Sequence, residues 1–309
     1  MKRDLITIND LTRPELDEVM ALATRLKADT KAGRPHPLLA GRTMAMIFEK
    51  PSLRTRVTFE TGMSQLGGDA VYLAPGDIEL GVREPVADIA QCLARWVDVI
   101  LARTFSHDAI VELAANATVP VINGLTDEYH PCQVLADCFT LLEQRGKLDG
   151  LHVSFVGDGN NMVHSWMLAA ARFGFDFTLV CPPGYEPDPT IVASAKADAT
   201  GAITVTHDLD AGTRGVDVLY TDVWTSMGQE AEAEERRRIF APYQINQAML
   251  DRAASDAIVM HCLPAHRGEE ITAEVVDGPQ SVVFEQAENR LHIQKAIVAW
   301  LLDGVEENR

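Results

Sequence analysis

Five short clusters hold residue types that could do chemistry, and together they suit an anion bound beside an amine. The first is EKPSLRTRVTFE, residues 49–60, where Ser52 and Thr55 alternate with Arg54 and Arg56. Hydroxyls and guanidinia at a helix start suit a phosphate, since the helix end offers N–H donors and a positive dipole. The same residues also read as an N-cap serine followed by surface arginines paired with Glu49 and Glu60. Arg103 ends the apolar run Val97–Arg103 and offers another guanidinium. In LTDEYHPCQ, residues 125–133, the His130 imidazole can polarise a carbonyl oxygen and Gln133 can accept from an amide. Helix capping around Pro131 is the plainer account of that stretch.

The other three clusters lie in the second half. GDGNNMVHS, residues 157–165, imitates the dinucleotide pattern G-x-G-x-x-G with Gly157 and Gly159, but Met162 takes the third glycine position. No acidic residue ends the next strand to hold a ribose, so a nicotinamide cofactor is not indicated. Asn160 and Asn161 are then left at a helix start, suited to a carboxylate or amide. TDVWTSMGQE sets Asp222 four residues before Ser226, followed by Met227 and Gly228: a carboxylate for an amine and a turn for an alkyl stem. HCLPAHRGEE places His261, Cys262 and Leu263 ahead of Pro264. A metal held by His261, Cys262 and His266 is poorly supported, because adjacent strand residues point to opposite faces. No G-x-S-x-G elbow is present for a serine nucleophile.

Such residues need a scaffold, and the hydrophobic pattern supplies one. Strand-length apolar runs (Thr43–Phe48, Val97–Arg103, Val119–Asn123, Leu151–Asp158, Asp176–Cys181, Val216–Val223, Asp256–Cys262) alternate with helical stretches (Pro14–Thr30, Arg54–Leu66, Pro85–Trp96, Met162–Phe173). This alternation predicts an α/β protein with parallel sheets, in which ligands gather at the carboxyl ends of strands. Pro131–Arg145 reads as a helix linking two domains. Ile293, Ile297, Trp300 and Leu301 mark an amphipathic closing helix. A length of 309 residues fits two domains, and 47% hydrophobic residues can fill their cores.

Twenty-seven Lys and Arg against 45 Asp and Glu leave a formal charge of −18, which argues against nonspecific nucleic-acid or anionic-membrane binding. An anion site must then be built locally against the field of the whole molecule. Five scattered cysteines without a C-x-x-C, no secretory pattern and no apolar run of membrane-spanning length predict a cytoplasmic enzyme.

S-x-R-T-R, H-P-C-Q, D-x-x-x-S-M-G, H-C-L-P and AENR occur in that order, and the chain that carries them resembles the carbamoyltransferase family over nearly its whole length. The S-M-G element is the mark of the ornithine branch. The resemblance implies a carbamoyl-phosphate domain over residues 1–147, with a final helix at 286–305 packing back on it. It implies an ornithine domain over 148–285 and a homotrimer, or a multiple of trimers, with active sites at subunit interfaces. By the same resemblance Ser52, Leu53, Arg54, Thr55, Arg103 and Arg290 hold the phosphate side. His130 and Gln133 hold the carbamoyl end, Pro131 and Cys132 are further carbamoyl-phosphate-binding positions, and Cys262 and Leu263 lie beside the reacting groups. Asn161, Asp222, Ser226 and Met227 hold ornithine. Arg54, Arg103, His130 and Cys262 are the expected catalytic residues.

The implied reaction joins the neutral δ-amine of ornithine to the carbamoyl carbon, giving citrulline and phosphate, in arginine biosynthesis or degradation. No metal or organic cofactor is expected. Cys262, Asp222 or the departing phosphate are each able to take the amine proton. By the same resemblance Glu79, in DIELGVRE, is a carbamoyl-phosphate-binding position on a loop that reaches into the neighbouring subunit's site, where relatives often carry Gln or His. A carboxylate there must be protonated, paired with Arg54, Arg83 or another cation, or held away from the ligand. A catalytically silent metabolite-binding relative is the other reading, and the complete set Arg54, His130, Cys262 and Arg290 argues against it.

Overall fold

The computed structural model describes residues 2–226, 228 and 230–302. Two compact units divide the chain: Met1–Phe139 with Glu288–Arg309, and Thr140–Ala287. The divisions fall inside the helices Pro131–Arg145 and Val283–Leu301.

In the first unit, β1 (Thr43–Phe48), β2 (Asp69–Leu73), β3 (Val99–Arg103) and β4 (Val121–Leu125) form a parallel sheet in the order β2-β1-β3-β4. Met44 to Phe48 are all buried, so both faces of β1 are covered, as parallel sheets require. Ala45, Ile47, Ile100 and Ala102 meet Ile89, Ala90 and Leu93 of the helix Val86–Leu93 and Ile110 and Leu113 of the helix His107–Asn116. The helix Leu53–Gln65 packs on β1 and β2.

In the second unit, β5 (His152–Val156), β6 (Asp176–Val180), β7 (Ile203–Thr206), β8 (Val218–Thr221) and β9 (Ile258–His261) form a parallel sheet in the order β7-β6-β5-β8-β9. Trp166, fully buried in the helix Asn161–Phe173, packs against Phe175, Phe177 and Tyr220. The expected α/β class with parallel sheets is therefore observed.

Three differences from the sequence pattern have physical causes. The run expected at Val119–Asn123 is a strand at Val121–Leu125, because Pro120 has no N–H to give a ladder; only its carbonyl serves, accepting from Ile100 N at 2.9 Å. β2 and β7 do not stand out in the sequence pattern; both are sheet edges, and only Ile203 among their residues is buried. The closing helix, expected to be amphipathic, runs from Val283 to Leu301 and is buried from His292 to Trp300, polar residues included. Its expected reach to 305 lies partly outside the described residues.

Candidate active site

The first unit supplies a cluster of cations at the carboxyl ends of β1 and β3. After β1 the chain turns through Pro51 into the helix Leu53–Gln65, and Ser52 caps it, its Oγ accepting from Thr55 N at 3.2 Å. Leu53 is 76% exposed, whereas Thr55 is fully buried. Arg290 is also buried; its Nη2 donates to Thr55 Oγ1 at 2.7 Å and its Nη1 to Gln133 Oε1. Gln133 Nε2 in turn donates to the buried Asp137 Oδ1 at 2.7 Å, one helical turn along. Gln133 therefore has both ends of its amide engaged and fixes the Arg290 fork. Arg56 takes the plainer role foreseen for it, pairing with Glu60 at 3.0 Å and lying over the Tyr72 ring.

Arg103 ends β3 and is 5% exposed. His130 is equally buried, just before the helix Pro131–Arg145. Burial, followed by the charges of Arg290, Arg103 and Arg54, holds its imidazole well below the ordinary histidine range. Gln133 N–H donates to His130 Nδ1 at 3.2 Å, so in the neutral ring the proton sits on Nε2. His130 is thus a neutral N–H donor among guanidinia. Pro131 opens the helix at its first position, where a missing N–H costs nothing. Cys132 is fully buried and its thiol donates to Asn123 O at 3.4 Å; burial pushes that thiol up to about 12. Its side chain serves the packing of the first unit.

Glu79 caps the short helix Pro75–Ile78 with φ +43° and is exposed. Among the described residues its carboxylate has no ion-pair partner, Arg54 and Arg83 included. Lys50, buried beside this cluster and not singled out in the sequence, pairs with Asp127 and lies over the Phe105 ring at 4.2 Å.

The second unit gathers its candidates at the ends of β5, β8 and β9. Asn160 caps the helix Asn161–Phe173, its Oδ1 accepting from Met162 N at 3.0 Å and Val163 N at 3.3 Å; Asn161, half-buried, is the first helical residue. Gly159 is required by packing, because a Cβ there would lie 2.4 Å from Pro187 N. This accounts for the second glycine of the G-x-G imitation without a nucleotide. Asp222, past β8, accepts from Cys262 Sγ at 3.0 Å, which joins the ends of β8 and β9. Ser226 is half-buried in the following loop, and Met227 lies outside the described residues. Leu263 has φ +59° and precedes a cis bond to Pro264. Among the described residues, Glu79 and Leu263 are the two non-glycine positions with positive φ, and both are candidate site positions.

The turn that carries Cys262 and Leu263 is held from behind. Leu263 N–H donates to His261 Nδ1 at 2.8 Å, so His261 Nε2 carries the proton and meets Glu270 Oε1 at 3.1 Å. Glu270 is fully buried; burial pushes its carboxyl up, but bonds from His261 and His266 N outweigh that and leave it below its ordinary value. With both His261 nitrogens used in this way, Asp222, His261 and Cys262 do not make a metal ligand set, although their donor atoms lie within 4.8 Å. His266, Glu269 and Glu270 are likewise spent: Glu269 pairs with Arg237 and Glu270 with His261. Sequence reading missed Glu270 and Asp137. The Gln133–Asp137 spacing of four in a helix was a usable signal for the second.

Two family models match successive parts of the chain. Residues 3–143 match the family model for the aspartate/ornithine carbamoyltransferase carbamoyl-P binding domain, and residues 149–301 match that for the Asp/Orn binding domain. Among curated relatives, the ornithine carbamoyltransferase of Thermococcus kodakarensis is 50% identical over 307 residues, covering 98% of each chain. That of Syntrophus aciditrophicus is 52% identical over 302 residues, covering 98% of this chain and 100% of the relative. The solved structure of ornithine carbamoyltransferase from Pyrococcus furiosus superposes with a TM-score of 0.96 at 50% identity, covering 99% of this chain and 98% of that one. Two family models matched in sequence over nearly all of the chain, on two parallel-sheet units, establish that it belongs to the aspartate/ornithine carbamoyltransferase family.

Proposed function

We propose that this chain transfers the carbamoyl group of carbamoyl phosphate to the δ-amine of L-ornithine, releasing L-citrulline and phosphate. The observation that carries the reading is His130, a buried neutral N–H donor set among the charges of Arg290, Arg103 and Arg54. Donors of this kind stabilise a carbonyl oxygen and a phosphate as both gain negative charge. Full-length relatives at about half identity are named ornithine carbamoyltransferases, which supports ornithine as the acceptor.

The chemistry divides between the units. In the first, Ser52, Thr55, Arg54, Arg103 and Arg290 hold phosphate oxygens, and His130 Nε2–H donates to the carbamoyl oxygen. In the second, Asn161 meets the α-carboxylate of ornithine, Asp222 its α-ammonium, and the turn at Ser226 and Met227 its alkyl stem. Cys262, held on Asp222, lies beside the reacting amine with Leu263. The nitrogen lone pair forms the new C–N bond, the tetrahedral species expels phosphate by breaking the C–O bond, and the amine proton leaves to a base. No metal or organic cofactor takes part.

We further propose a homotrimer in the cytoplasm. Leu53, Val57 and Val71 are exposed apolar side chains on the first unit, and Val82, 83% exposed, sits on the Glu79 loop; a partner surface would cover them. Light scattering should give three chain masses or a multiple. Among the described residues no helix is long and apolar enough to cross a membrane, and the five cysteines are free thiols, which suits a reducing compartment. Purified protein mixed with carbamoyl phosphate and ornithine should form citrulline, and failure to do so would remove the assignment.

A further inference from the structure

The closing helix touches the phosphate-binding helix at more places than Arg290. Along Leu53–Gln65, one face presents Thr55, Thr58, Gly62 and Gln65, at the 3-4-3 spacing of a helical stripe. Each meets the closing helix. Thr55 accepts from Arg290 at 2.7 Å, and Thr58 Oγ1 donates to Gln294 Oε1 at 2.5 Å. A Cβ on Gly62 would lie 3.1 Å from Lys295 Cγ, so the glycine lets the lysine stem pass. Gln65 Oε1 then accepts from Lys295 Nζ at 2.7 Å.

Lys295 is the unusual member. It is 1% exposed, and its other two partners are Thr30 Oγ1 at 2.7 Å and His36 Nε2 at 3.0 Å. His36 Nδ1 meets Arg34 O at 2.9 Å, which puts that ring's proton on Nδ1 and leaves Nε2 as an acceptor. Three ammonium protons therefore meet three neutral acceptors, from the helix Arg13–Lys31, the loop after it and the helix Leu53–Gln65. A charge in such surroundings is costly, and burial pushes this ammonium down to about 8, with Asp29 opposing. Packing alone would be met more cheaply by a methionine of similar length.

We propose that Lys295 is a positioning residue: by tying Gln65 to the closing helix, it sets the register in which Thr55 meets Arg290 at the phosphate end. This rests on the assignment of Thr55 and Arg290 to phosphate, but not on the identity of the acceptor. The lysine touches no substrate. It fixes the far end of a rigid helix whose near end does.

The test compares Lys295→Met, Gln65→Leu, Gln65→Glu and the Lys295→Met/Gln65→Leu double variant in the full-length protein. Expected are a thermal midpoint for Lys295→Met near that of the parent and a KM for carbamoyl phosphate raised about tenfold. The KM for ornithine should stay within about twofold, and kcat should change less than the carbamoyl-phosphate KM. The double variant should be no worse than either single one, as coupled neighbours require, and Gln65→Glu, which keeps an acceptor, should stay near the parent. Binding of inorganic phosphate, read by calorimetry, must weaken in parallel. If the parent makes no citrulline but Lys295→Met still weakens phosphate binding, the positioning role stands and the reaction assignment falls. A folded Lys295→Met with unchanged phosphate affinity and KM overturns the proposal, as does an equal loss toward both substrates.

Discussion

Arg290 and Thr55, 235 positions apart in the chain, meet through a 2.7 Å hydrogen bond in the interior of the first unit. The contact joins the closing helix to the first turn after Ser52, so that a guanidinium stands where the helix N-terminus is open to an anion. It also resolves the charge balance of the chain. A formal charge of −18 repels a phosphate at long range, yet Arg54, Arg103 and Arg290 all bear on His130 in one place. The acidic surplus belongs to the rest of the surface.

Thr55→Val keeps the shape and removes the acceptor for Arg290. It leaves a buried guanidinium N–H without its partner, which should cost about 1–3 kcal/mol of stability. The KM for carbamoyl phosphate should rise while that for ornithine stays unchanged. Steady-state kinetics with each substrate varied in turn will read this, and an equal rise in both constants would count against the assignment of Thr55.

His130→Asn should lower kcat by about 10²–10³, the usual effect of losing one oxyanion donor. Because burial and three guanidinia keep His130 neutral, kcat/KM of the parent should show no His130 inflection at the ordinary histidine pKa near 6.5. Nitrogen chemical shifts should show a single Nε2–H tautomer through that range. A protonated ring at pH 6 would contradict the proposed role.

Two histidines of the first unit contribute to loss of stability in acid. His292, 1% exposed on the closing helix, is pushed down to about 4 by burial, against the bond from Glu288 that raises it and the charges of Lys295 and Lys27 that add to the lowering. His130 is shifted the same way. The unfolded chain binds these protons more readily, so the stability these two histidines contribute is complete above about pH 6.5 and is lost as pH drops toward 4. The His292 share is of order 3 kcal/mol. Denaturant midpoints at pH 7 and pH 5 should differ in the parent, and less so in His292→Gln; parallel curves would remove His292 as a cause.

Thiol reactivity separates the cysteines. Cys132 and Cys181 are buried and pushed up to about 12 by burial, so both should resist alkylation in the folded protein, whereas exposed Cys92 should react. Cys262 is half-buried on Asp222, and an ornithine analogue should slow its labelling without affecting Cys92. Peptide-resolved mass spectrometry reads all four, and unchanged Cys262 labelling would place ornithine elsewhere.

Much of this was legible in the chain because sheet and candidate site share one rule: in parallel α/β sheets the residues just beyond a buried apolar run stand at the carboxyl edge, where ligands gather. That rule located Ser52, Arg103, His130, Asp222 and Cys262, whose neighbours form β1, β3, β4, β8 and β9. Edges were harder: β2 and β7 lack the continuous burial that makes a strand stand out. Long-range polar contacts were illegible. The resemblance put Arg290 on the phosphate side, but nothing local in QAENRLHIQK tells that it bonds Thr55 or that Lys295 is buried. His261 and Glu270 illustrate the same limit, since their pairing depends on how the turn after β9 folds back.

The most direct measurement is the formation of citrulline by purified protein supplied with carbamoyl phosphate and a choice of amines. Turnover with ornithine, releasing one phosphate per citrulline and requiring no added metal, is the expected result. No citrulline, with turnover of putrescine, aspartate or acetylornithine in its place, would contradict the account.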